Sequence, residues 1–244
     1  MTRDILDSDM VELGVADAAA LSDARRLSRH YPLEADELKL INRLAGSSQS
    51  FAPGQMLSRR GLRQDLLLIQ SGWAIRTRDL PDGRRQIYSF LLPGDVVSFR
   101  GASRGWSNTT VTALTAVKAI DLTSSCDLNS GAGLALACVR SIEQERQFVF
   151  DQVARLGQSD AYQRLIDLLS ELCGRLDAAG LKAGDLAVLP ITQDIFSEAL
   201  GVTAVHVRRL LQRMKTAGVL QQRRSLGLCL DAGALSEERK KVCG

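Results

Sequence analysis

The corner at Gly201 constrains this chain more than any other feature. Thr192-Gln193-Asp194 opens a short helix anchored by Phe196 and Leu200, Gly201 ends it, and a second helix, TAVHVRRLLQRMK, begins at Thr203. Two helices that cross steeply through a three- or four-residue turn need a residue tolerant of positive φ at the corner, which Gly201 supplies. They also need a small residue where the backbones approach, and Ser197 is placed for that. Phe196, Leu200, Val202, Val207 and Leu210 are expected to close a miniature core, with Leu211 and Met214 on the same inner side. Side chains meeting all these demands in register specify a helix-turn-helix, a much stronger signal than a lone glycine between two helices.

Charge says what such a unit meets. The formal net charge is only +3, yet residues 190 to 244 carry nine Lys/Arg against five Asp/Glu, so that segment is +4 and the remainder −1. From Thr203 to Arg224 there are six basic residues, Arg208, Arg209, Arg213, Lys215, Arg223 and Arg224, and no acidic one. A phosphate backbone rewards that distribution through counterion release, so double-stranded DNA is the expected partner. The outward face of the second helix presents Ala204, Val205, His206, Arg208, Arg209, Gln212 and Arg213. Residues near the N-terminus of a recognition helix meet base edges, which selects Val205, Arg208 and Arg209. Arg209 can donate two hydrogen bonds to guanine O6 and N7, and Val205 can touch a thymine methyl. Thr203 and His206 are better placed for phosphates, with a purely solvated role for His206 equally open. Gly218 to Gln221 and Gly227 to Leu230 read as two strands of a small wing around Arg223-Arg224-Ser225. Its arginines would lie along the DNA backbone, a solvated loop being the alternative.

A chain of 244 residues has room for two domains. Residues 1–35 form a polar lead-in, followed by a short amphipathic helix from Asp36 to Leu44. From Phe51 to Leu122 short apolar runs alternate with turn residues, the mark of successive strands. Leu66 to Ile69 is a strand ended by Ser71-Gly72; Ala74 to Thr77 and Gln86 to Leu92 flank Asp82-Gly83, a dipeptide suited to a tight hairpin. Pro93-Gly94 turns the chain, and Thr109 to Leu122 closes a compact β-sandwich or roll. Helical spacing begins near Gly133. Ala135, Val139, Ile142, Arg146, Val149, Val153 and Leu156 follow the alternating three- and four-residue step of a coiled-coil seam, which predicts a homodimer through Val139, Ile142, Val149, Val153 and Leu156. Packing of this helix on its own domain is the alternative. Beyond a break at Gly157-Gln158, Ser159 is the expected N-cap of a helix carrying Ala161, Leu165, Leu168, Leu172 and Leu176 on one face. Gly180 ends that neighbourhood, and Leu181 to Leu189 reads as a linker. The expected domains are 36–130 for the roll, 131–158 for the dimerisation helix and 159–244 for the winged reader.

Five scattered cysteines form no C-x-x-C pair, so a reducing cytoplasm is expected. Cys126 and Cys138 are the two with a redox role to consider, beside the plainer role of buried thiols. Neither a signal peptide nor a membrane span is apparent. With two His, neither near a plausible nucleophile, and no Gly-rich phosphate loop or paired metal ligands, no enzymatic activity and no metal are expected. The competing non-enzymatic reading is a small-molecule-binding or protein-interaction adaptor whose winged helix docks a protein; the acid-free stretch speaks against it.

Two stretches, LLLIQSGWAIRTRDLPDGRRQIYSFLLPGDVVSF (66–99) and LPITQDIFSEALGVTAVHVRRLLQRMKTAGVL (189–220), resemble the Crp/Fnr family of bacterial transcription regulators, and the likeness spans about residues 40–235. The resemblance implies an α+β chain with an N-terminal double-stranded β-helix (jelly-roll) sensor domain like that of cyclic-nucleotide-binding proteins, a long dimerisation helix and a C-terminal winged helix-turn-helix. It also implies contacts to RNA polymerase. Members that bind cyclic AMP carry a Gly-Glu pair and then an Arg-Ser pair after the Gly-Asp turn. Here Gly94-Asp95 is followed by Ser98-Phe99, and the later site falls near Asn108-Thr109-Thr110, so cyclic AMP is not the expected ligand. Arg100 and Arg104 are the nearest substitutes, more naturally read as surface residues. The iron–sulfur branch holds its cluster with N-terminal cysteines, whereas the first cysteine here is Cys126. His30 is the single His outside the reader, which leaves haem without evident ligands. No cofactor is therefore expected.

Overall fold

The computed structural model describes residues 24–58, 66–98, 109–127, 132–221 and 227–243. Helix α1 (Ala35–Ala45) starts at a capping box in which the Glu37 carboxylate accepts the Glu34 amide. Eight strands follow: β1 (Gln49–Phe51), β2 (Met56–Ser58), β3 (Leu66–Ser71), β4 (Ala74–Asp79), β5 (Arg85–Leu91), β6 (Val96–Ser98), β7 (Thr110–Ala113) and β8 (Val117–Asp121). They form two antiparallel sheets, ordered β1-β8-β3-β6 and β2-β7-β4-β5. Side chains alternate across each strand, so Leu67 and Ile69 of β3 meet Ala74, Val111 and Ala113 between the sheets, while Leu66 and Leu68 face outward. That outer layer is covered by Ala24, Leu27, Ile41 and the start of the long helix. Every expected strand of the roll is present, but the Asp82-Gly83 hairpin is wider than expected. Gly83 N–H donates to Leu80 O (3.0 Å) and Leu80 N–H to Arg84 O (2.8 Å), with Gly83 at φ 81°. At Gly72 a side chain is excluded outright: φ is +82° and a Cβ would lie 2.0 Å from Ala116 O.

Helix α2 (Gly133–Gln158) begins where Leu134 N–H donates to Glu37 Oε1 (2.7 Å), so α1 caps it. Its next turns are pinned to the roll by Val96 N–H, which donates to Ser141 Oγ (3.0 Å). Asp160, rather than the expected Ser159, is the N-cap of helix α3 (Ala161–Ala178); it accepts from Tyr162 N and Gln163 N, while Ser159 closes α2. Both residue types cap well, and α2 simply continues past its Gly157 to Gln158. Gly180, at φ 66°, ends α3, with Leu181 N–H bonded to Leu176 O.

The Leu181–Leu189 segment is not wholly a linker. Leu186–Leu189 forms β9, antiparallel to β10 (Leu228–Asp231) in the register Leu189↔Leu228. The expected first wing strand shrinks to a bridge at Leu220↔Leu230, with Gln221 N–H to Cys229 O (3.0 Å), because β10 takes β9 as its main partner. Helices α4 (Gln193–Leu200), α5 (Ala204–Thr216) and α6 (Ala232–Cys243) complete the unit. Its core joins Leu165, Leu168, Leu169 and Leu172 of α3 to Phe196, Leu200, Val207, Leu210 and Met214. Each such fully buried side chain contributes roughly 1.5–3 kcal/mol of transfer free energy. The same cluster includes Trp73, Ile75, Ile87 and Phe90, so this core is continuous with the outer face of the roll's second sheet.

Candidate nucleic-acid interface

The helix pair at Gly201 forms as its residues require. Thr192 caps α4 by accepting from Ile195 N, and Thr203 caps α5 by accepting from His206 N (3.3 Å). Gly201 sits at φ 65° and ψ 34° between them, and its amide and that of Val202 both donate to Ser197 O. The Ser197 hydroxyl donates onward to Val202 O, so the small residue at the crossing also ties the turn together. Phe196, Leu200, Val207, Leu210 and Met214 are buried as expected; Val202 and Leu211 pack partly against them.

Burial of that face turns the other one outward. Thr203, Ala204, Val205, His206, Arg208, Arg209, Gln212 and Arg213 are all exposed, and Val205 stands out as an apolar side chain 61% exposed. Among the described residues neither Arg208 nor Arg209 is engaged in an ion pair. Arg213 differs. Its guanidinium lies 3.5 Å from the ring centroid of Tyr162 on α3, a cation–π contact that holds the second half of the helix against the body of the domain. Tyr162 in turn donates its hydroxyl to Glu238 Oε1 of α6 (2.8 Å), and burial with that hydrogen bond pushes its phenol up to about 12. Arg223 and Arg224 lie outside the described residues, as do Phe99, Arg100, Arg104 and Asn108.

The unit is seated on the roll of the same chain by polar contacts. Arg85 of β5 pairs with Glu198 of α4 (2.7 Å). A buried chain starts at Asp95, which pairs with Arg175 (2.6 Å); Arg175 also donates to Phe90 O and pairs with Glu171. Glu171 holds Arg155 of α2 (2.6 Å), which donates to Gln152, whose amide donates to Ala199 O at the end of α4. Sequence reasoning missed these residues. They are scattered from 85 to 199, and no local pattern marks them.

Helix α2 has two unlike faces. Ser141, Glu145, Gln152 and Arg155 are buried against their own chain, whereas Val139, Ile142, Val149 and Leu156 are half-buried and Val153 is 60% exposed. Arg146 is exposed within that stripe. Ala135, expected at the head of the seam, is instead enclosed with Leu66, Leu68 and Ile120, so the free stripe starts later. Phe150, which the seam spacing passes over because it lies one position off, flanks the stripe at 60% exposure.

The remaining residues considered from the sequence fall away from this surface. Cys126 and Cys138 are buried with their sulfurs 4.0 Å apart; the neighbouring thiol and burial push Cys138 up. His30 is driven down to about 4 by burial and by Arg29. Among the described residues no helix is long and apolar enough to cross a membrane.

Comparison with known proteins accords with this architecture. The model of the cyclic nucleotide-binding domain matches residues 48–125, and that of the Crp-like helix-turn-helix domain matches residues 163–238. The nitrogen fixation regulation protein FixK of Rhizobium meliloti is 27% identical over 176 residues, covering 71% of this chain and 78% of the relative. The anaerobic regulatory protein of Haemophilus influenzae is 25% identical over 195 residues, 78% of this chain and 75% of its own. The structure of FixK2 from Bradyrhizobium japonicum shares the fold at a TM-score of 0.64, with 23% identity over 78% of this chain and 95% of that one. A CRP-family transcriptional regulator of Thermus thermophilus does so at 0.59, with 19% identity over 79% of this chain and 96% of that one. With a cyclic-nucleotide-binding-like roll, a long connecting helix and a capped helix-turn-helix in one order, the chain belongs to the Crp/Fnr family of DNA-binding transcription regulators.

Proposed function

We propose that two copies of this chain pair along α2 and present their α5 helices to successive major grooves, about 34 Å apart, of a nearly palindromic operator. The observation that carries this reading is the double exposure in the single chain. On α2 a mostly apolar stripe from Val139 to Leu156 is left half-buried, with Val153 and the flanking Phe150 exposed, and on α5 an acid-free basic face lies open. Val139, Ile142, Val149, Val153 and Leu156 form the seam, and Phe150 extends it. Val205, Arg208 and Arg209 read base edges from the first turns of α5. Thr203 and His206 take phosphates, Gln212 and Arg213 follow further along the helix, and Arg223 and Arg224 track the backbone flank.

In this assignment residues 1–35 are a lead-in, 36–130 the sensor roll, 131–158 the dimer helix and 159–244 the reader. The regulator acts in the cytoplasm, and contacts to RNA polymerase convert DNA binding into a change of transcription. Cyclic AMP is not the effector. Gel-shift titrations over a range of salt on DNA selected from a random library test the assignment. Arg209→Ala should cost about 1–3 kcal/mol of binding and relax sequence choice, whereas removing a phosphate-contacting arginine should lower the salt slope by about one unit with sequence choice kept. Equal, weak binding of all sequences by wild type and Arg209→Ala would contradict it.

A further inference from the structure

Arg76 is completely buried, at 0% exposure, on the face of β4 it shares with Ala74, and so stands between the two sheets of the roll. A guanidinium there must be paired, since isolated charge in an apolar interior is strongly disfavoured. Its partner comes from another element. Nε lies 2.7 Å from Glu145 Oε1 and Nη2 lies 2.9 Å from Glu145 Oε2, the two-bond fork of arginine on a carboxylate. The Ser89 hydroxyl on β5 donates to Glu145 Oε1 (2.6 Å), and Arg76 Nη1 donates to Thr109 Oγ1 (3.4 Å) at the entry to β7. Groups from two paired strands, Arg76 of β4 and Ser89 of β5, thus converge on one carboxylate, itself only 5% exposed, while Thr109 braces the guanidinium from behind. A planar fork and a hydroxyl aimed at one point constitute an anion receptacle.

We infer that the receptacle of this roll has a resident ligand, the Glu145 carboxylate of the chain's own long helix. Glu145 lies one turn beyond Ser141, which accepts the Val96 amide, so both contacts fasten the same face of α2 to the roll. Tethering gives the carboxylate a high effective concentration at Arg76. A diffusible anion that displaced it would leave Glu145 charged and buried with no partner. The receptacle is consequently closed to free anions in the native chain, and its occupancy sets where α2 sits against the sheet. The inference goes beyond the DNA-reading assignment and uses it only for a second readout.

The test is chemical rescue on the full-length protein. Glu145→Ala should lower the apparent melting temperature by roughly 10 °C. Sodium acetate should restore part of that loss, and sodium chloride at equal ionic strength should not. Glu145→Gln, which fills the same space, should melt below wild type and gain nothing from acetate. Wild type should be unmoved by acetate or by cyclic AMP. Melting of either variant at the wild-type temperature, an acetate effect in Glu145→Ala no larger than that of chloride, or stabilisation of wild type by cyclic AMP would overturn the inference. Acetate rescue of melting in a protein that binds no DNA would leave the receptacle standing and remove the DNA-reading assignment instead.

Discussion

Two sets of arginines in this molecule live under opposite rules. Arg76 lies inside the roll, forked onto Glu145 and enclosed by Ser89 and Thr109. Arg208 and Arg209 lie exposed on α5. In the interior the charge is satisfied by the protein itself, so its contribution is to fix α2 against the sheet. On α5 the charge is kept for a phosphate or a base edge that the chain does not contain. Arg213 falls between the two: it is exposed, yet its plane is laid over Tyr162. The same residue type is therefore structural or functional according to what surrounds it, and the surroundings follow from burial.

The contrast can be broken by substitution, beginning with the largest effect. Arg76→Met should cost about 3–5 kcal/mol of stability, because it strands a buried carboxylate, and the double variant Arg76→Met/Glu145→Leu should recover most of that loss. Denaturant titration of the three proteins checks it, and a double variant no better than the single would show that the pair does not act as a unit. Arg209→Ala should invert the pattern. It should cost the DNA affinity stated above while folding stability changes by less than about 0.5 kcal/mol, as for a surface site. Thr203→Ala sharpens the boundary, since this cap serves both fold and reader. Loss of its bond to the His206 amide should cost about 1 kcal/mol of stability, with weaker binding to every DNA sequence alike. A change of sequence preference in Thr203→Ala would mean that it reads bases.

What is legible in the sequence follows from the range of the forces involved. The helix-turn-helix can be read because its determinants are local: two threonine caps, a glycine at positive φ, and apolar anchors a turn apart all lie within residues 192–214. The roll is legible because turn residues punctuate its strands, although the Pro81-Asp82-Gly83 turn admits more than one width. β9 reads as linker because four residues declare themselves a strand only when Leu228–Asp231 arrives alongside. No local signal announces helix α6, whose placement rests on Leu235 in the core and on the distant Tyr162–Glu238 bond. The choice between Ser159 and Asp160 as cap turns on where α2 stops. Arg76 and Glu145 are 69 residues apart, so no local pattern links them. Phe150 escapes because a strict seam takes its two neighbours in spacing, Val149 and Val153, and passes over a flanking aromatic.

The central claim is that two exposed α5 helices, held at a fixed separation by the α2 seam, read DNA together. The most direct test places the selected site, with its two half-sites one helical turn apart (about 34 Å), beside a version with roughly half a turn inserted between them. The account predicts tight binding of one dimer to the first and loss of that binding to the second, where the two readers would face opposite sides of the duplex. Equal affinity for both sites would contradict it.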